Sequence, residues 1–349
     1  MPFSRRQFLL TSVGGCVLAT TKGVQAALAQ LDEEKAPATL MTVTGPISSS
    51  AMGATLIHEH ILVVFIGADK ISYDRWNREA VIKKVMPYLE EMKAQGVKTF
   101  FDCTPAFLGR DPVLLKTIAE KTGLHIVTNT GYYGAIKNKH LPAWAHTETD
   151  QQLAQRWIRE ANEGIEGTDV RPGFIKISVD EGKLSALHQK IVRAAAITHL
   201  ATGLTICSHT GKAPAAFEQL EILKAAGLQP DAFVWVHAQA EDNIEQHIKA
   251  ATMGAWVSLD AIGWGKPEQY ATLLTQLKER RLLHRVLISH DAGWYDPAKP
   301  SGGEFIGFTA LFTKLIPLLK SKGFTQADID QLLVVNPVKA FTTGIRRLS

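Results

Sequence analysis

The chain has 349 residues, 46% hydrophobic and 21% charged, with 38 basic side chains against 34 acidic ones and three cysteines. With Arg5, Arg6 and Lys22 set aside as part of a leader, the remainder carries 35 basic residues against 34 acidic, without basic clusters. That balance excludes a nucleic acid or an anionic membrane surface as partner, and Cys103 and Cys207 are too few for a disulfide framework; buried free thiols are expected.

Residues 1–29 read as a twin-arginine export signal. Ser4-Arg5-Arg6-Gln7 precedes an apolar run, and Ala27-Leu28-Ala29 offers a small-residue cleavage site. The apolar core is short and broken by Gly14 and Gly15, so it is no membrane span. Cys16 as a lipidation site is the weaker alternative, because its upstream pattern is poor. A cleaved twin-arginine leader implies a periplasmic or secreted protein that is exported already folded. Residues 30–349 contain no linker or low-complexity tract and are expected to form one domain.

Residues 41–53 predict a short leading hairpin turning at Gly45-Pro46. Next comes Ala54-Thr-Leu-Ile-His58-Glu59-His60-Ile-Leu-Val-Val64, a strand whose alternation places His58 and His60 on one face and Glu59 on the other. From there strand and helix patterns alternate. Strands are predicted at 98–104, 124–131, 174–178, 205–209, 233–237, 256–260 and 285–291. Helices are predicted at 79–95, 111–122, 148–163, 184–202, 213–226, 242–253, 268–281 and 307–321, most of them ended by glycine. The strands are apolar at nearly every position, as when both faces are buried. Eight such units predict an α/β protein of the (β/α)8 TIM-barrel class, with the N-terminal hairpin and an extra C-terminal helix over Thr325–Phe341. An open doubly wound sheet is the alternative, but no Gly-rich phosphate turn follows the first strand.

Catalytic groups of a parallel barrel sit at the C-terminal ends of its strands. Here those ends carry His58 and His60 (first), Lys176 (fourth), His209 (fifth), His237 (sixth) and Asp291 (eighth). Imidazoles and a carboxylate are divalent-metal ligands. A lysine in an apolar strand is costly as an ammonium; the neutral amine that burial favours is nucleophilic and takes up carbon dioxide. The resulting carbamate is an anionic ligand able to bridge two metals. Pairing of Lys176 with a buried acid is the alternative.

Thr55-Leu-Ile-His58-Glu-His60, Gly173-Phe-Ile-Lys176-Ile, Ser208-His209-Thr210, Trp235-Val-His237 and Ile288-Ser-His290-Asp291 together resemble the phosphotriesterase-like family of the amidohydrolase superfamily, from Gly45 to Asn336-Pro337. The resemblance implies a binuclear centre, usually of zinc and in some members of manganese, cobalt or iron. His58, His60 and Asp291 would hold an inner metal and His209 and His237 an outer one, bridged by N6-carboxylated Lys176 and a hydroxide. The implied reaction is hydrolysis of a small molecule, with Asp291 carrying the proton. Tyr133 in Thr130-Gly131-Tyr132-Tyr133 resembles the tyrosine that lies beside substrate in lactonase-type members. Those members show an Arg after the seventh-strand Asp, whereas here the run is Asp260-Ala261-Ile262-Gly263-Trp264, which speaks against acyl-homoserine lactones.

An ester or lactone substrate is therefore expected, with phosphotriesters as a side activity; an amidase on a small N-acyl compound and a non-catalytic binding barrel remain the rival readings. Trp264, Trp294, Tyr295 and Phe305 are candidates for an apolar pocket wall, and Asp102 and Asp260 for partners of the ligating imidazoles. His290, facing away from Asp291 by alternation, reads as structural. The family is often dimeric, so the resemblance implies a homodimer.

Overall fold

Eight parallel strands follow one another around a ring, each apolar enough to be covered on both faces, in a computed structural model that describes residues 38–349. The export signal expected at 1–29 lies outside the described residues. The ring runs from β3 (Ala54–Leu62) to β4 (Val97–Asp102) and β5 (His125–Val127), and β6 (Asn129–Thr130) resumes the third strand after a break at Thr128. It continues through β7 (Phe174–Ser178), β8 (Ile206–His209), β9 (Phe233–Val236) and β10 (Trp256–Leu259) to β11 (Val286–Ile288). The eighth strand is also interrupted, and its second half, β12 (Gly293–Tyr295), pairs with β3. Asp291 N donates to His58 O at 3.0 Å and His60 N to Ala292 O at 2.8 Å across that seam. The result is a (β/α)8 barrel, with residues 39–349 one compact unit. An open doubly wound sheet is excluded.

The helices start and stop where local chemistry dictates. Asn77, Asp111 and Ser185 accept backbone N–H bonds at the N-termini of Arg78–Ala94, Pro112–Thr122 and Ala186–Thr202, and Thr149 with Gln152 forms a capping box before Asp150–Glu163. Gly123, Gly203 and Gly254 close helices in the left-handed conformation.

Three sequence expectations are corrected. The leading hairpin is real, but its strands are β1 (Thr39–Thr42) and β2 (Gly45–Ser48), so the turn falls at Val43-Thr44 and Gly45-Pro46 open the second strand. Thr42 Oγ1 donates to Gly45 O at 2.6 Å and accepts from Thr44 N, a side-chain turn that periodicity cannot show. The eighth strand stops at Ile288 because Asp291 takes φ 52°, outside the extended region. Finally, the last two helical stretches carry π turns, Leu311–Leu315 and Gln331–Val335, each running up to a proline, Pro317 or Pro337. A proline has no N–H for the i−4 carbonyl, and the wider turn accommodates the loss.

Inside the barrel Phe101, Phe174, Trp256 and Leu287 fill the lower layers, with Leu40, Met52 and Phe341 plugging the N-terminal end. The hairpin and the C-terminal helix thus have one task, sealing the floor. Cys103 and Cys207 are buried free thiols in this core, as expected.

Two glycines allow strands to approach where the site is built. A Cβ on Gly131 (φ 114°) would overlap the Lys176 carbonyl oxygen, and one on Gly293 (φ 104°) the His60 carbonyl oxygen. Gly227 (φ 85°) faces nothing within 4 Å. Gly293→Ala should therefore destabilise the fold by roughly 3 kcal/mol or more, and Gly227→Ala by only about 1 kcal/mol, the left-handed backbone term alone. Thermal unfolding followed by circular dichroism checks the ordering; equal losses would deny the close approach its role.

Candidate metal centre

The barrel mouth collects the side chains that the sequence singled out. His58 and His60 leave β3 together, Lys176 projects from the middle of β7, and His209 ends β8. His237, just beyond β9, and Asp291, between the two halves of the eighth strand, both take positive φ, 60° and 52°. Two non-glycine residues in this sparsely populated region are held there by their surroundings.

His60 Nε2 lies 3.1 Å and His58 Nε2 3.7 Å from the same oxygen, Asp291 Oδ1. Lys176 Nζ lies 3.2 Å from His58 Nε2. The rings of His58 and His237 have centroids 5.0 Å apart, and those of His209 and His237 4.5 Å. All six predicted ligands thus converge on one patch, and His58, His60 and Asp291 could hold a metal ion as they stand. Lys176 is 2% exposed, and among the described residues no carboxylate lies within 4 Å of its Nζ. The alternative of a lysine paired with a buried acid is not what the structure contains.

What makes these residues fit a divalent cation is the direction of the nitrogens. Asp260 accepts from His58 Nδ1 at 3.1 Å and from His237 Nδ1 at 2.8 Å, and its remaining capacity is taken by Ser258 Oγ and His237 N. With both Nδ1 atoms protonated, both Nε2 lone pairs face the site. Asp260 is geometrically near enough to ligate a cation with His58 and His237, but its oxygens are already engaged, so it orients rather than ligates. Thr104 does the same for His60: its hydroxyl donates to Leu62 O, so it accepts from His60 Nδ1 at 2.8 Å.

The charges agree. Burial, then the positive charge of Lys176, holds His58 down to about 3 against the pull of Asp260 and Asp291. Burial, then His237 and Lys176, pushes His209 well below the usual range, so both rings are neutral donors. Burial opposes a proton on His237, yet the Asp260 carboxylate outweighs it and raises this pKa. Burial would raise Asp260, but His237 and His58 carry it well below the ordinary carboxylate range. Asp291 is likewise lowered, burial being outweighed by its hydrogen bond to His60 and by His58 and His237.

Asp102 departs from expectation. Its oxygens accept from Ile61 N and Thr104 N rather than from an imidazole, so it braces the loop that presents Thr104. Asp260 meets its expectation, and His290 is structural as read. What alternation missed is the role of Glu59. Fully buried, it accepts from Ser289 Oγ (2.7 Å), His290 N (2.9 Å), His290 Nδ1 (2.8 Å) and Ala292 N (3.0 Å). Four donors offset the desolvation of one carboxylate and fix the main chain on both sides of Asp291.

Tyr133 places its hydroxyl 3.4 Å from His209 Nε2, and burial, then Asp291, raises its pKa above the phenol range. Of the proposed wall aromatics, Trp264 and Trp294 line the mouth, Trp294 against the His60 ring and stacked on Phe65. Tyr295 and Phe305 are corrected: both are buried, Phe305 between Tyr88 and Phe308 on the outside of the barrel. A separate cavity of about 720 Å³, lined by Trp76, Phe107, Arg110, Tyr132, Trp144 and Glu160 among others, contains none of the six converging side chains. Its buried Arg110 is bound bidentately by Glu160 and also by Glu166, which marks it as structural.

Comparison with known proteins agrees with this geometry. The model of the phosphotriesterase family matches residues 38–341. The chain is 32% identical over 299 residues to the phosphotriesterase homology protein of Escherichia coli K12, covering 84% of this chain and 100% of that one. It is 30% identical to the aryldialkylphosphatase of Saccharolobus solfataricus (85% and 97% covered) and 24% identical to the N-acetyltaurine hydrolase of Mus musculus (87% and 97%).

Asp260→Asn leaves one imidazole without its acceptor and should lower affinity for divalent metal by about 10–100-fold, measured by competition with a chromophoric chelator. Unchanged affinity would remove Asp260 from orienting the site. In the chelated protein His58 is neutral down to about 3, while in the unfolded chain it takes a proton below its ordinary 6.5. Its contribution to stability is therefore complete above pH 6.5 and is lost progressively as pH falls from 6.5 toward 3. Metal-free urea titrations across that window check the sign.

Proposed function

The chain belongs to the phosphotriesterase family of hydrolases, whose enzymes use a binuclear metal centre, and on that premise we propose that it hydrolyses a carboxylic ester or lactone, with phosphotriesters as a side activity. The observation that carries the reading is the convergence of His58 and His60, each oriented through its Nδ1, and of the Asp291 carboxylate beside a buried amine that has no acid partner among the described residues. In this reading His58, His60 and Asp291 would hold one ion and His209 and His237 the other, and Lys176, once carboxylated, would supply an anionic ligand between them. Zinc suits these nitrogen and oxygen donors, with manganese, cobalt or iron as alternatives. Two bound divalent ions would supply hydroxide near neutral pH and polarise the scissile oxygen.

The residues of the chain supply the rest. Asp291, with its side chain 14% exposed, is an ionised carboxylate at the border between the buried ligands and solvent, where it can take a proton at Oδ and release it outward. Tyr133, kept protonated, can donate to an oxygen held against the His209 side of the site. Trp294, Phe65 and Trp264 give the mouth an apolar side suited to an acyl or aryl group.

The name of the Mus musculus relative raises an amide as the second reading. An amide nitrogen must be protonated as it leaves. Tyr133, beside His209, is kept protonated by burial, so turnover of an N-acyl substrate against an aryl ester is what separates the two readings. A binding barrel without turnover has no need of an unpaired buried lysine. The twin-arginine leader supports export to the periplasm or beyond, and the family supports a homodimer; both are part of this proposal. Among the described residues no helix is long and apolar enough to cross a membrane.

Protein purified without chelator should contain about two divalent ions per chain and turn over aryl esters or lactones. One ion or none, with no activity after zinc, manganese or cobalt is added in bicarbonate, would refute the reading. Lys176→Ala should lose at least one equivalent of metal and on the order of 100-fold in kcat/KM, partly restored by a short carboxylic acid. Full activity without the acid would eliminate the carbamate.

A further inference from the structure

The peptide unit joining Asp291 to Ala292 is gripped at both ends. Its N–H donates to Glu59 Oε2 at 3.0 Å. Its carbonyl oxygen accepts from two indoles, Trp294 Nε1 at 2.9 Å and Trp264 Nε1 at 2.6 Å. One peptide further back, Asp291 N donates to His58 O at 3.0 Å. Asp291 holds φ 52° and Trp294 φ 72°, so the segment is strained, and these bonds are what keep it in place.

The donors differ in origin. Glu59 is fully buried, and Trp294 is local, three residues from the carbonyl it serves. Trp264 comes from the loop after the seventh barrel strand and is 57% exposed, although its ring meets Trp294 edge-on at 5.6 Å. A large apolar side chain so open to water gains little from burial, so its placement follows from the hydrogen bond and the ring contact.

We infer that Trp264 is a positioning residue for Asp291: its indole N–H, with that of Trp294, locks the Asp291–Ala292 peptide so that the carboxylate meets the Nε2 atoms of His58 and His60. The inference rests on the reading of Asp291 as a metal ligand. It also links the seventh-strand loop, at the mouth, to the inner half of the site. A substrate that displaces the indole unlocks the carboxylate, and one that packs against it does not.

The test compares Trp264→Phe, which keeps a ring and loses only the N–H, with Trp264→Phe/Trp294→Phe and with Asp291→Asn, all loaded with cobalt(II). Trp264→Phe should keep its unfolding temperature within about 2 °C of the parent, alter the visible cobalt bands, and lower kcat by roughly 5–20-fold with KM within about twofold; the double variant should lose more. Unaltered cobalt bands and kcat in both tryptophan variants would overturn the inference. So would an effect confined to KM with unaltered bands, which would make Trp264 only a wall of the mouth. Unaltered bands in Asp291→Asn would instead overturn the ligand reading beneath it.

Discussion

The hydrogen bonds from the Nδ1 atoms of His58 and His237 to the carboxylate of Asp260 govern what the top of this barrel can be. An imidazole can present either nitrogen, and an unanchored ring in a cleft would sample both. By accepting from both Nδ1–H groups, one buried carboxylate leaves two Nε2 lone pairs pointing inward and provides the negative charge that a cationic site needs nearby. The position demands that Asp260 stay ionised while fully buried, and it does so because His237 and His58 outweigh its desolvation. Thr104 solves the same problem for His60 without charge, since a hydroxyl that spends its proton on Leu62 O can only accept from the ring.

Much of this was legible in the sequence, and the part that was not has a common cause. Strands and helices announce themselves by period, and residues at strand ends by their position after an apolar run. His58, His60, Lys176, His209, His237 and Asp291 could be named for that reason, and so could Asp260. Glu59 could not, because alternation says only that it faces away from His58 and His60. The donors it faces lie in the break between the two halves of the eighth strand, some 231 residues away in the chain. Asp102 and Thr104 show the same limit: both sit at the end of one strand, and only the fold decides that the hydroxyl, not the carboxylate, meets His60. The hairpin turn and the two π turns were missed for a more local reason, since side-chain hydrogen bonding and a missing proline N–H act below the resolution of a hydrophobic pattern.

The mouth carries less sequence signal than the six converging side chains, because walls are built from residues common to any surface loop. Tyr295 and Phe305 looked as suitable as Trp264 and Trp294, yet the first two are buried, whereas Trp294 is half-buried and Trp264 exposed. The difference is polar: both mouth indoles donate to the Asp291 carbonyl, whereas Tyr295 and Phe305 meet other apolar groups. A tryptophan at a barrel rim is therefore informative when its N–H has a fixed acceptor, and otherwise is only area.

Exposure grades across the site in the order that hydrolysis requires. His58 and Lys176 are each 2% exposed, while the side chains of His237 and Asp291 are each 14% exposed. The deepest groups are those that water would hydrate or displace, and the shallowest lie where the proposed reaction would bring substrate in and pass a proton to solvent. That gradient also accounts for where the backbone is strained. His237 and Asp291, the two left-handed non-glycine residues among the six, are the two that lie past the regular part of a strand. A strand continuing past them would carry the side chains out of reach of the buried imidazoles. Bending the chain at these positions brings groups from the solvent side back over the site, and the Glu59, Asp260 and indole contacts supply the hydrogen bonds that make the bend tolerable.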